Sequence, residues 1–388
     1  VTPPNSLTPP NPLTPPNPLT LSADLVPPHV RLLDAYQPGK PIEELERELG
    51  ITGALKVASN ENPLGPAPRA LAAIGAALAN LHLYPDASGH ALTQALAARY
   101  QVAPAQVALG AGSNDLLYQL VLALVGPDEE LVTPSFGFLS YRLAAAVAGR
   151  RFVATAATPE APDLDALIAA FGPQTKLVVL GTPNNPTGSV LTAAQIDRVL
   201  AALPPRALLV LDEAYQEYAA AWPEVDHVDG VEVLRRDPRV VVLRTFSKIY
   251  GLAALRVGYA LAHPHVIETL GRVVRTFHVN TLAQVAALAA LDDGAHVASS
   301  AALARRGIER LRAEVRGPGV VVYPSLANFA LIETGRPAAP IYDALLRQGV
   351  IVRPMAAWGL PTCLRVSIAA DDQMARVVGA LCEALASR

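Results

Sequence analysis

The sequence predicts an α/β protein with two parts: a large domain whose mostly parallel sheet is sandwiched by helices, and a smaller α+β domain. Three observations carry this expectation. From about residue 67, helix-period segments alternate with short, often Val-rich apolar runs bounded by Gly, Pro and Asp. Beyond about residue 281 that alternation gives way to a long helical stretch, followed by strands with helices between them. The length of 388 residues, with 51% hydrophobic content and a net charge of −3, is enough for two globular cores.

The elements follow in chain order. Residues 1–29 read as a Pro-rich repeat extension. The unit Thr-Pro-Pro-Asn-Ser/Pro-Leu recurs three times with a period of six between Thr2 and Leu19. Its prolines block helix and sheet ladders, so the tract is expected to be disordered or polyproline-like. It lacks the basic and apolar regions of a signal peptide. Because the first residue is Val, a translation start further along is the other reading. Residues 30–66 precede the alternation and are assigned, with 281–388, to the small domain; 67–280 form the large one. In the large domain the pattern predicts helices at 68–80, 91–100, 114–125 and 192–203, and strands at 176–180, 207–211, 240–243 and 257–261. In the small domain the long helical stretch breaks at Asp292-Asp-Gly294 and runs to about 315. Strands are expected there at 320–323, 328–332, 350–352 and 364–368.

Composition excludes several functions. No apolar stretch approaches the length of about 18 residues that a bilayer requires. No basic excess points to nucleic acid. Cys363 and Cys382 are too few for a disulfide scaffold and lack metal-ligand spacing, so reduced thiols, no metal and a cytoplasmic setting are expected.

Lysine usage is the sharpest chemical signal. The chain has four lysines (Lys40, Lys56, Lys176, Lys248) against 27 arginines. Lys248 follows the apolar run 240–243 in Arg244-Thr-Phe-Ser-Lys248, with Arg256 eight residues on. Arginine can replace lysine as a charge, but it cannot form a Schiff base or shuttle a proton near neutral pH. Two further apolar runs also end in polar clusters, Pro183-Asn-Asn185-Pro-Thr-Gly188 and Asp212-Glu-Ala-Tyr215. Ligands of open α/β sheets bind outside the carboxyl ends of the strands. Asn185, Asp212, Tyr215 and Lys248 should therefore converge.

Their chemistry suits pyridoxal phosphate. Asp212 would pair with the pyridine nitrogen, Asn185 and Tyr215 would hold the phenolate oxygen, and Lys248 would carry the Schiff base. Gly110-Ala-Gly-Ser113-Asn114-Asp115 opens a helix and offers free N–H groups to a phosphate. Thr245, Ser247 and Arg256 stand ready to complete that cradle. Taken singly, each cluster is ordinary turn chemistry. Four of them in this order, three at strand ends, are not.

From about Tyr36 to the C-terminus the chain resembles the fold type I pyridoxal phosphate aminotransferases (aspartate aminotransferase-like), and among them the histidinol-phosphate aminotransferase group. The resemblance is carried by Tyr36-Gln-Pro-Gly-Lys-Pro, Ala58-Ser-Asn-Glu-Asn-Pro-Leu-Gly and Tyr84-Pro-Asp. The clusters above, Ile351-Val-Arg-Pro354 and Cys363-Leu-Arg365-Val add to it. It implies that Ser113, Asn114, Thr245, Ser247 and Arg256 bind the cofactor phosphate, that Asp115 belongs to the cofactor-binding set, and that Phe136 stacks on the ring. It implies that Tyr84 reaches the neighbouring subunit's cofactor, hence a homodimer with shared active sites. Arg365 is implied to grip the acidic end of substrates and Arg353 to act as a second clamp, with Tyr36, Asn60 and Asn328 near the substrate. The implied partners are a small-molecule amino donor and a 2-oxo acid. Thr276 and His278 stand where relatives often show Pro and Asn, and Trp358 lies near the expected substrate mouth.

The expected activity is transamination of L-histidinol phosphate with 2-oxoglutarate. The nearest rival is an aromatic amino acid aminotransferase. A decarboxylase of a phosphorylated amino acid on the same scaffold is a further alternative.

Overall fold

The computed structural model describes residues 26–31, 33 and 39–387. The repeat tract and Tyr36 therefore lie outside the described residues. Residues 28–29, assigned to the extension, instead begin a single helical turn, Pro28–Arg31, which packs on the helix Leu139–Val147.

The large body is built on seven strands: β1 (Val107–Gly110), β2 (Glu130–Pro134), β3 (Arg151–Thr155), β4 (Thr175–Gly181), β5 (Leu208–Asp212), β6 (Val240–Thr245) and β7 (Gly258–Leu261). Their spatial order is β1-β7-β6-β5-β4-β2-β3. All neighbours are parallel except β7, which runs antiparallel to both β1 and β6. Continuous apolar runs are what interior parallel strands need, because both of their faces are covered. The side chains partition with a period of two. Val178, Leu180, Leu209, Leu211, Val240 and Val242 enter one core. Leu177, Val179, Val210, Val241 and Leu243 enter the other.

Helices seal both faces. The second core is covered by α1 (Ser113–Leu124) and α2 (Leu139–Val147), through Leu116, Leu120, Tyr141 and Ala144. On the first face, the helix Ala193–Ala202 starts where the sequence predicts, because Thr192 and Gln195 form a reciprocal capping box.

The small body holds a four-stranded antiparallel sheet of β8 (Val320–Val322), β9 (Phe329–Thr334), β10 (Arg353–Pro354) and β11 (Cys363–Ser367), in the order β10-β11-β9-β8. The segment Leu55–Lys56 pairs in parallel with Val350–Ile351, so residues before the large sheet do join the C-terminal part. The break at Asp292–Gly294 separates α3 (Thr281–Leu291) from α4 (Gly294–Glu314). The expected boundary at 280/281 needs correction. Ala283, Ala286, Ala287 and Ala290 of α3 enter the large core, and α3 packs on Pro68–Ala77. Small side chains on that face allow close helix approach. α4 bridges the two bodies, with Ala301 and Ala304 in the large core and Ile308 and Leu311 in the small one. No helix among the described residues is long and apolar enough to cross a membrane.

Candidate active site

A crevice of about 240 Å³ opens at the carboxyl ends of β4, β5 and β6, facing β10 and β11 of the small body. It brings together Ser113, Asn114, Asn185, Asp212, Tyr215, Thr245, Ser247, Lys248, Arg256, Asn60, Arg353 and Arg365. The reason is topological, since three parallel strands deliver their last residues to one edge.

Asp212 ends β5 on the face of the second core, two residues after Val210. Its Oδ2 accepts a hydrogen bond from the Tyr141 hydroxyl at 2.9 Å, and its Oδ1 accepts from the Ala214 N–H at 3.3 Å. Burial pushes its carboxyl above the usual range; those two donors and the Lys248 charge act in the opposite direction. Lys248 Nζ donates to the Ser59 carbonyl at 3.3 Å and lies 5.6 Å from the centre of the Tyr215 ring. The Tyr215 hydroxyl accepts from Asn60 Nδ2 at 2.9 Å, which leaves its own proton to donate. Asn60 is held in turn by Ser367. Its N–H donates to Ser367 Oγ at 2.9 Å, and its Oδ1 accepts from the same hydroxyl at 2.8 Å. The backbone there has φ 56°, a left-handed conformation that Asn tolerates better than most residues.

The anion cradle is assembled by close backbone approach. Ser113 and Asn114 form the first turn of α1, after Gly112 at φ 93°. Arg256 Nη1 donates to Ser247 Oγ at 3.1 Å, and Thr245 Oγ1 accepts from the Ser247 N–H at 3.1 Å. A Cβ at Gly112 would lie 2.6 Å from Arg256 Nη2, and one at Gly258 would lie 2.5 Å from the Ser113 nitrogen. Only glycine at both positions lets the helix terminus, the guanidinium and β7 converge. The helix N-terminus and Arg256 together favour a phosphate.

Two arginines form the opposite wall. Arg353 and Arg365 are direct cross-strand partners on β10 and β11, so their side chains share a face. Arg365 is buried; it donates to Asn185 Oδ1 at 2.5 Å and to the Ala58 carbonyl at 2.6 Å, and its guanidinium lies over the Phe329 ring. With its oxygen engaged, the Asn185 amide keeps its NH2 for donation. Arg353 sits 5.6 Å from the centre of the Trp358 ring at the mouth. Three arginines and one lysine face a single carboxylate, so the crevice suits a multiply anionic occupant.

Some expected site residues lie elsewhere. Asp115 caps α1 from below, accepting from the Ala111 N–H at 3.0 Å and Gln119 Nε2 at 2.9 Å, and does not line the crevice. Phe136 is also displaced. Its backbone sits at φ 59°, and its side chain packs with Met355, Leu360 and Trp358, so Phe138 and Tyr141 are the aromatic residues on that wall. Asn328 is buried and does not line the crevice; it donates to the carbonyls of Asn60 and Glu61 at 3.1 and 3.2 Å and so supports the loop that does. Tyr84 is 81% exposed, stacked on Phe277, and does not line this chain's own crevice. His278 bonds the Leu109 carbonyl at 2.9 Å and is likewise outside.

Sequence reading missed two features. Tyr141 is one; its signal is a second aromatic three residues beyond Phe138, on the face of α2 that meets the sheet. The other is a buried ion pair beside Asp212. Glu213 accepts from Arg244 Nε and Nη2 at 2.9 and 2.7 Å, and Arg244 also bonds Asp229 at 2.8 Å. The pair ties the end of β5 to the end of β6, fixing Asp212 relative to the turn that carries Lys248.

A mixed sheet with an amine, a part-buried carboxylate and an anion cradle at its strand ends, closed by a small domain bearing arginines, defines an aspartate aminotransferase-like enzyme of fold type I. The chain belongs to the aminotransferase class I and II family, whose sequence model matches residues 52–381. It is 47% identical to the histidinol-phosphate aminotransferase of Anaeromyxobacter sp. (strain Fw109-5), over 92% of this chain and 98% of that protein. It is also 47% identical to histidinol-phosphate aminotransferase 2 of Pseudomonas aeruginosa, over 93% and 98%. The crystal structure of the histidinol-phosphate aminotransferase of Sinorhizobium meliloti in complex with pyridoxal-5'-phosphate superposes with a TM-score of 0.83 at 33% identity, covering 92% of this chain and 96% of that one. A Thermus thermophilus aspartate aminotransferase mutant shares the fold, with a TM-score of 0.80 at 23% identity over 92% and 99%.

Proposed function

We propose that the crevice binds pyridoxal phosphate on Lys248 and that the protein transfers the amino group of L-histidinol phosphate to 2-oxoglutarate. The observation that carries the substrate reading is the cross-strand pair Arg353 and Arg365 on the wall facing Lys248. Planar guanidinium groups bind phosphate and carboxylate alike, so one clamp suits the phosphate of the donor and a carboxylate of the acceptor. The names of the relatives support the same choice. The residues also fit the cofactor: the glycine-lined cradle suits its phosphate, and Asp212, a part-buried carboxylate lining the crevice, would pair with its ring nitrogen.

When bound, pyridoxal phosphate supplies an electron sink for the carbon that bears the amino group. The protein does the rest. Asp212 would hold a proton at the pyridine nitrogen. The Tyr215 hydroxyl and the Asn185 amide would donate to the phenolate oxygen. Ser113, Asn114, Thr245, Ser247 and Arg256 would hold the phosphate. Lys248 would anchor the cofactor through Nζ, and the same amine would serve as general base toward the donor's amino-bearing carbon and then as general acid.

A homodimer with shared sites belongs to this reading. Tyr84, Leu78, Leu81, Leu83 and Phe277 expose apolar surface on one side of the chain, suited to a second copy. A cytoplasmic setting belongs to it as well. An aromatic donor is the second reading, favoured by Phe138 and Trp358 in the crevice.

A half-reaction screen separates the two. Histidinol phosphate, phenylalanine, tyrosine and aspartate are each mixed with the holoenzyme, and loss of the visible cofactor band is followed. Histidinol phosphate should react with the highest specificity constant. Phenylalanine or tyrosine outpacing it would transfer the assignment to the aromatic enzymes.

A further inference from the structure

We propose that Tyr141 is a positioning residue: its phenol fixes the Asp212 carboxylate in one orientation and thereby sets how that carboxylate engages the ring nitrogen of the bound cofactor. The inference rests on the reading of the crevice as a pyridoxal phosphate site.

The contact is direct and built into the packing. The Tyr141 hydroxyl donates to Asp212 Oδ2 at 2.9 Å, while Oδ1 takes the Ala214 N–H at 3.3 Å. One donor comes from α2 and the other from the turn after β5, so the carboxylate plane is held from two elements. Space for the phenol is made by two glycines. Gly181 is the register partner of Asp212 across β4 and β5, and a Cβ there would sit 3.0 Å from the Tyr141 hydroxyl. A Cβ at Gly137 would sit 3.1 Å from Cδ2 of the same ring. The phenol thus occupies the volume that a side chain at 181 would fill, directly beside Asp212. Tyr141 is 2% exposed, and its ring is met edge-on by Phe138 with centroids 6.0 Å apart.

Electrostatics support the geometry. Burial, and then the neighbouring Asp212 charge, hold the phenol well above its usual range, so it remains a donor at working pH. Among the groups that counter the burial of Asp212, the Tyr141 hydrogen bond comes first, ahead of the Ala214 N–H and the Lys248 charge. The titratable neighbours of Asp212 are therefore Tyr141 from α2 and Lys248 from the turn after β6, with Tyr215 beyond on its own turn. Only Tyr141 donates a side-chain hydrogen bond to it among the described residues.

The test compares the wild-type and Tyr141→Phe holoenzymes. The pH midpoint of the visible band should move by about one unit, the worth of a hydrogen bond to a charged group. The single-turnover rate should fall about tenfold while donor KM changes less than about twofold, because the residue acts through Asp212 and does not touch the donor. The melting temperature of the cofactor-free protein reports packing separately. An unmoved midpoint with a wild-type rate would overturn the inference. Tyr141→Ala guards against a packing effect: added phenol should restore the midpoint and toluene should not. Equal rescue by both would reduce Tyr141 to a space-filler. If the wild-type protein develops no Lys248-dependent band at all, the cofactor reading itself fails; a normal wild-type band with an unmoved Tyr141→Phe midpoint sinks this inference alone.

Discussion

Replacing Arg365 with Lys separates charge from geometry at the proposed substrate clamp. The guanidinium makes two divergent anchoring bonds, to Asn185 Oδ1 and to the Ala58 carbonyl, and lies over the Phe329 ring. A planar fork can hold both anchors and still present N–H groups to an anion. A single ammonium nitrogen cannot serve three directions in one plane. Arg365→Lys should therefore lose at least one charge-assisted hydrogen bond while keeping the positive charge. Such a bond contributes about 1.5–3 kcal/mol, so kcat/KM should fall about 10- to 150-fold. Stopped-flow measurement of each half-reaction is the assay. One clamp serves both donor and acceptor in the proposed cycle, so both halves should slow in parallel. The visible band should persist, since Arg365 does not anchor the cofactor. Either half-reaction staying within about twofold of wild type, in a folded and cofactor-loaded variant, would refute the assignment.

Three further expectations follow from the site. Asn60→Ala removes the donor to the Tyr215 hydroxyl and the side-chain acceptor of the Ser367 hydroxyl, while the backbone N–H bond to Ser367 stays. It should cost about tenfold in single-turnover rate with the cofactor still bound, and an unchanged rate would remove Asn60 from the support of Tyr215. Gly258→Ala would place a Cβ 2.5 Å from the Ser113 nitrogen and 2.8 Å from the Arg244 carbonyl oxygen, backbone atoms that cannot step aside. Cofactor affinity, titrated by fluorescence quenching, should weaken about tenfold or more, and wild-type affinity would show that the cradle is looser than this geometry. Cys363 is buried against Glu333, and burial pushes its thiol up to about 12. Ellman's reagent at pH 8 should therefore titrate Cys382 rapidly and Cys363 only after denaturation; rapid reaction of both would contradict the packing of β11.

How far the sequence could be read depended on the kind of residue. Interior strands were legible because Leu208–Leu211 and Val240–Leu243 are apolar on both faces. β1 and β3 were not. β1 is only four residues long and ends in Gly110, and β3 begins with the exposed Arg151 and alternates weakly at the sheet edge. Strand-end residues with obligatory chemistry, Asp212, Tyr215, Lys248 and Arg256, could be placed from order and spacing alone. Residues whose placement depends on backbone sign could not. Phe136 and Phe138 are two positions apart, and a left-handed φ at Phe136 decides which of them faces the crevice. Asp115 sits beside Ser113 and Asn114 in sequence, and Asn328 beside the Phe329 that underlies Arg365, yet both make their hydrogen bonds within the scaffold. The Glu213–Arg244 pair was invisible because its partners lie 31 positions apart.

The small body contributes to both halves of the site through one strand. Arg365 and Ser367 are two residues apart on β11, so they point to the same face. Arg365 grips the Ala58 carbonyl and Asn185; Ser367 grips Asn60, which in turn donates to Tyr215. The loop from Ala58 to Asn60 is thus held at both ends by the strand that carries the clamp, and Lys248 donates to its middle carbonyl, Ser59. An anion pulling on Arg365 acts on a unit that already includes the donor to Tyr215 and the resting partner of the lysine. The large sheet delivers the crevice's polar groups to one edge, and β11 is what holds Arg365, the proposed substrate clamp, and Tyr215 in a single frame.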